Sequence, residues 1–188
     1  MEIDLLGILP TNRTSLLGGY AKSSAEAGCP LNMSISITLE TGEIETAKMI
    51  AKGRLRANVG VFNRQRSPEP PEDVEMNGMG AEMAYCKAFN LWPDLTVTPR
   101  SGGADCTHGN RTVDVKATGY ANGKLLVTPD KKDKGTDLYV LVTGWMPNYT
   151  IVGYATSDEI FNDDNLAETG HGVSYVLPQE KLHDLKNT

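Results

Sequence analysis

The chain has 188 residues, 39% hydrophobic and 22% charged, which suits one globular domain with a single core. Its formal net charge of −6 excludes a protein that coats nucleic acid by bulk charge, although a local basic patch on an acidic protein still serves phosphate contacts. No apolar run approaches the ~18 residues of a spanning helix, and the opening MEIDLLGILPTNR lacks a basic leader and breaks at Pro10, so the expected location is the cytoplasm.

In chain order, residues 1–34 are turn-rich and weakly patterned, and are read as an N-terminal arm that packs on the domain or on a partner subunit. A domain over 35–188 follows. Ser34 to Leu39 alternates as a short strand. Gly42 to Val59 has apolar residues near helical spacing (Ile44, Ala47, Ile50, Ala51, Leu55) and predicts a helix. Its polar side carries Arg54 and Arg56; Arg64 and Arg66 follow, and the four make a candidate patch for nucleic-acid phosphates. The proline-rich acidic stretch from Ser67 to Val74 is expected to be a loop. Gly78 to Leu91 predicts a second helix, stopped by Trp92-Pro93.

Strands dominate from there. They are expected at 95–98, 104–107, 112–118, 124–127, 138–143, 150–156 and 173–177, with short helical turns after Ser157 and from Gln179. Two helices followed by a run of strands mean an α/β or α+β fold. Cys29, Cys86 and Cys106 are odd in number and have no CxxC spacing. Neither a disulfide framework nor a zinc site is indicated, and Cys86 and Cys106 read as buried free thiols.

The stretch from Gly102 to Lys116 carries the chemistry. A two-residue turn at Gly109-Asn110 sets a hairpin register in which Asp105 lies directly opposite Asp114. Lys116, two residues on, points to the same face. Opposed carboxylates destabilise a hairpin and call for positive charge. Lys116 supplies part of it, and a hard divalent cation such as Mg²⁺ or Mn²⁺ would supply the rest. The plain alternative is a surface ion pair on a strand. Val113, Val115 and Ala117, which alternate with the acids as an apolar face, argue for an anchored strand, and Gly102-Gly103 leaves room for a phosphate backbone beside Asp105. His108 reads first as a polar turn residue. Lys131 and Lys132 read equally as phosphate contacts or as a solvated loop.

Asp105, Asp114 and Lys116 in this arrangement resemble the PD-(D/E)xK nuclease superfamily. The wider layout, GMGAEMAYCKAF, GGAD, VDVK, TDLYVLV and IVGYAT, is similar to uncharacterised nuclease-like proteins of bacteriophages and bacteria. One departure is Ala104 at the name-giving proline. The resemblance implies a restriction-endonuclease-like core, a mixed, largely antiparallel sheet flanked by helices. It further implies metal-dependent hydrolysis of DNA phosphodiester bonds. Asp105, Asp114 and the Val115 carbonyl would hold Mg²⁺ or Mn²⁺, and Glu82 would be the helix-borne acid that binds a second ion or a metal water. Lys116 would position the attacking water. RNA as substrate, a non-cutting module that binds DNA or protein, and a homodimer all remain open at this level.

Overall fold

The computed structural model describes residues 34–59, 69–99, 103–170 and 172–185. Arg64, Arg66, Gly102, Cys29 and residues 1–33 of the expected arm lie outside these. Among the described residues there are three α-helices and two sheets, largely antiparallel. None of these helices is long and apolar enough to cross a membrane.

Strand β1 (Ile35–Thr38) leads into helix α1 (Thr41–Ala57), whose Glu43 reaches back to the Glu40 amide (2.7 Å) and closes the first turn. Ala47, Ile50 and Ala51 bury one face of α1 against Met79 of helix α2 (Pro71–Phe89). Helix α2 starts inside the stretch expected to be a loop. Proline fits the first helical position, where no amide hydrogen is needed, and Glu72 and Asp73 suit the positive end of the helix dipole. It ends on Asn90 in the left-handed region (φ 54°), with the Leu91 amide returning to the Cys86 carbonyl (2.8 Å).

The strand expected at 95–98 does not form. Side chains take the Thr96 backbone groups: its amide donates to Asp94 Oδ1 (2.9 Å) and its carbonyl accepts from Arg54 Nε (3.4 Å). At the adjoining Asp94, the carbonyl accepts from Arg54 Nη2 (2.7 Å) and the amide donates to the Asp105 carbonyl (2.8 Å). The hairpin follows: β2 (Cys106–His108), the turn with Gly109 at φ 62°, and β3 (Arg111–Thr118). Cys106 pairs with Val113, Thr107 with Thr112 and His108 with Arg111, the register the turn dictates. Strand β2 begins two residues later than expected, so Asp105 stands just outside it.

A crossover containing β4 (Leu125–Val127) and a 3₁₀ turn (Pro129–Lys131) leads to β5 (Leu138–Trp145), which runs parallel to β3. Strand β6 (Asn148–Thr156) returns antiparallel and ends in the short helix α3 (Ser157–Ile160). The five-stranded sheet has the order β1-β6-β5-β3-β2. Strands β7 (Leu166–Thr169), which the sequence pattern did not indicate, and β8 (Gly172–Leu177) join β4 in a three-stranded sheet ordered β4-β8-β7.

The two faces of the larger sheet bury different clusters. Val113, Val115, Val140, Val142 and Ile151 pack under Ala81, Ala84 and Tyr85 of α2. Tyr139, Leu141 and Val152 pack with Leu125, Val127, Tyr175 and Leu177 of the smaller sheet. Alternation along β3 therefore turns Asp114 and Lys116 away from α2, to the side shared with Tyr139 and Leu141, their partners in register. Cys86 and Cys106 are free and buried, as expected. Ala117, expected on the apolar face, is exposed near the end of β3.

Two glycines inside α2 test this packing. A Cβ on Gly80 would overlap the Tyr149 hydroxyl and lie 2.9 Å from Met146 Cε, whereas one on Gly78 would meet nothing within 4 Å. The Tyr149 hydroxyl also contacts the Asn77 side chain at 3.0 Å. Thermal unfolding should show Gly80→Ala destabilised by about 1–3 kcal/mol. Gly78→Ala should be neutral or stabilised by up to about 1 kcal/mol through helix propensity.

Candidate active site

Asp114 is the most buried carboxylate of the described residues, 2% exposed. A charged side chain so placed needs partners, and it has two. Lys116 Nζ closes on Oδ1, and Lys131 Nζ donates to Oδ2 at 2.9 Å. Lys116 arrives from the same strand. Lys131 arrives from the 3₁₀ turn on the crossover, a segment that must pass this face to bring β5 parallel to β3. Tyr139 lies beneath both. The Lys116 ammonium sits 5.9 Å from its ring centroid, and its hydroxyl donates to the Lys131 carbonyl (3.3 Å).

Asp105 does not use its carboxylate to face Asp114 alone. Its Oδ2 accepts the Val115 amide at 2.6 Å, while its own amide donates to the Val113 carbonyl at 2.8 Å. Strand β2 starts only at Cys106, so Val115 has no strand partner on that side and the aspartate takes the vacant position. The carbonyl of Val115 emerges on the same edge as its amide. Burial first, and then the Asp114 charge, push the Asp105 carboxyl up to about 6; the Val115 amide, Lys116 and Lys131 pull the other way. For Lys131, burial works against the charge, but Asp114 and then Asp105 outweigh it and hold its pKa above the ordinary lysine value.

Glu82, 8% exposed, projects from the α2 side of the sheet. Both its oxygens accept from Arg54 Nη1, at 3.2 and 3.0 Å. Burial and then Asp105 raise its pKa to about 8, with Arg54 opposing. For Arg54, burial is the largest cause and lowers, but Glu82 more than offsets it and the guanidinium pKa rises. These two tendencies conflict at neutral pH. The two-oxygen contact decides for the ionised pair, because charge-assisted bonds of this kind are what a buried carboxylate requires.

The expected residues thus come together in two linked sets. Asp105, Asp114, Lys116 and the Val115 backbone gather at the edge of β3 with Lys131. Glu82 lies within electrostatic reach of Asp105, tied up by Arg54. Among the described residues, no three His, Cys, Asp or Glu side chains form a ready ligand set. The donors at the β3 edge, two carboxylates and a main-chain carbonyl, are nonetheless of the hard-oxygen type that Mg²⁺ or Mn²⁺ takes with water completing the shell.

Two of the expected phosphate contacts are engaged within the fold. Arg54, only 15% exposed in its side chain, is spent on Glu82 and on the Asp94 and Thr96 carbonyls rather than presented on a helix surface. Lys131 belongs to the Asp114 pair. Arg56 and Lys132 are exposed, and the Lys132 ammonium lies 6.0 Å from the Tyr175 ring centroid. His108 is occupied within the fold: its Nδ1 lies 2.9 Å from the Tyr85 hydroxyl and its ring packs on Phe89. No protein-family model and no curated protein matches this chain.

The raised Asp105 pKa has a definite sign in stability. A carboxyl that is harder to ionise when folded binds more protons in the native state, so its penalty is absent at low pH and grows as pH rises between about 4 and 6. Asn at this position still accepts the Val115 amide without that penalty. In metal-free buffer, Asp105→Asn should therefore melt higher than wild type at neutral pH, and the gap should close below about pH 4. Melting temperatures of both proteins across that range check this.

Proposed function

We propose that the protein is a metal-dependent nuclease of the PD-(D/E)xK type, hydrolysing phosphodiester bonds of DNA in the cytoplasm. The observation that carries this reading is the meeting of Asp105, Asp114 and Lys116 at one edge of β3, with Lys116 directly on the buried Asp114. Asp105, Asp114 and the Val115 carbonyl would hold Mg²⁺ or Mn²⁺. Such an ion supplies Lewis-acid stabilisation of phosphoryl charge and lowers the pKa of bound water.

The chain's own residues would do the rest. The Val115 amide fixes the Asp105 carboxylate in orientation. Lys116, anchored by Asp114 and resting over Tyr139, would present an ammonium to the attacking water and to the charge that builds on the phosphate. Arg54, held by Glu82, pins the 94–96 backbone, and through it the Asp105 main chain. Glu82 then acts as a positioning residue rather than a ligand. A restriction-endonuclease-like core fits the α2–hairpin–sheet arrangement. Arg56 and Lys132 are the expected phosphate contacts that stand exposed within the described residues.

A second reading has one observation in its favour. Both oxygens of Asp114 already accept from ammonium groups, and a satisfied cluster of this kind would also serve a nuclease-fold module that binds DNA or protein without cutting.

Cleavage separates the two. Wild type is expected to cut at least one of supercoiled, linear or single-stranded DNA with Mg²⁺ or Mn²⁺, and none with EDTA. Lys116→Ala should lose roughly a hundred- to ten-thousand-fold in turnover with little change in melting temperature, since Lys131 remains on Asp114. Cleavage of RNA alone would change the substrate but keep the chemistry. Binding without cleavage by wild type, or full activity in Lys116→Ala, contradicts the proposal.

A further inference from the structure

We propose that Lys131 is a displaceable occupant of the cation site: it neutralises Asp114 until a divalent ion takes its place, and is then released to hold the substrate phosphate. This rests on the nuclease reading and adds to it a residue whose role is exchange.

The geometry gives the two lysines on Asp114 different standing. Lys116 is fixed from the same strand, two residues away, with its ammonium near the Tyr139 ring. Lys131 reaches Oδ2 from a separate short turn, and its side chain, like that of Lys116, keeps part of its surface in solvent (21% and 26%). Its backbone is held: the Tyr139 hydroxyl bonds its carbonyl, and its amide bonds the Thr128 carbonyl (3.0 Å). The turn thus stays in place, and release of Asp114 requires only the four-carbon stem to move. A cation that binds Asp114 must compete with an ammonium already there, and Lys131 is the one that can leave without disturbing β3.

Charge balance gives the released ammonium somewhere to go. Around the site itself, Asp105 and Asp114 are faced by Lys116 and Lys131. A divalent ion added to this set leaves an excess of positive charge, centred where Lys131 departs, and a phosphodiester carries the sign that restores balance. Metal and substrate would then help each other to bind, reciprocally, through this one side chain.

The test uses the full-length chain and Lys131→Met, which keeps the aliphatic stem and removes the charge. Calorimetric titration with Mn²⁺ in the absence of DNA should show the variant binding on the order of tenfold more tightly than wild type. Fluorescence anisotropy with a short DNA duplex should show weaker binding by the variant in Ca²⁺ and equal binding in EDTA, because without metal Lys131 is occupied by Asp114 in wild type as well. Unchanged or weaker Mn²⁺ binding by the variant overturns the exchange role; if wild type nevertheless cuts DNA, the nuclease reading survives that result. If neither protein binds Mn²⁺ and wild type does not cut, both fall. Should the methionine variant not fold, Lys131→Gln, which retains a hydrogen-bond donor for Asp114, carries the same comparison.

Discussion

The site depends on one buried carboxylate. Asp114 lies in the middle of strand β3, between β5 and β2, on a face otherwise filled by Tyr139, Leu141 and the smaller sheet. An unpaired anion there would cost several kcal/mol, so its surroundings are arranged to supply cations. Lys116 comes by strand alternation, and Lys131 by the route the chain must take to make β5 parallel to β3. Replacing the cluster with apolar residues of similar volume would serve stability as well or better. A charged cluster at a position where apolar residues would serve is the physical basis for the proposed function.

A second constraint acts from the other side of the sheet. Arg54 joins α1 to α2 through Glu82, and joins both to the irregular segment at Asp94 and Thr96. The Asp94 amide bonds the Asp105 carbonyl, and Asp105 in turn bonds Val113 and Val115. This chain of contacts sets where β2 begins, and the late start of β2 opens the edge of β3 on which the Asp105 carboxylate and the Val115 carbonyl lie. The helices thereby position the Asp105 carboxylate through main-chain contacts.

Much of this was legible in the sequence where a local rule governs it. A two-residue turn with glycine fixes hairpin register, so the pairing of Cys106 with Val113 and the shared face of Asp114 and Lys116 follow from counting. The strands at 138–145 and 148–156 announced themselves by β-branched and aromatic content. What counting missed depends on long-range partners. Nothing near Lys131 marks it as the companion of an aspartate 17 positions earlier. The strand pattern at 95–98 lost to a guanidinium from α1, a competition no local window contains. Pro71 sits in a proline-rich stretch of the kind that usually forms a loop, yet the first turn of a helix accepts it. Asp105 was placed in a strand, but its carboxylate serves the β3 backbone because β2 starts late.

Under the proposed function, Asp105 and Asp114 together form a hard-oxygen cation site at the edge of β3. Electron paramagnetic resonance of Mn²⁺ tests it most directly, because free and protein-bound ions are counted separately at equilibrium. Wild type should bind Mn²⁺ in competition with Mg²⁺, and Asp105→Asn, which keeps its contact to the Val115 amide, should lose that binding while remaining folded. Mn²⁺ bound equally by both proteins, or by neither, would contradict the account.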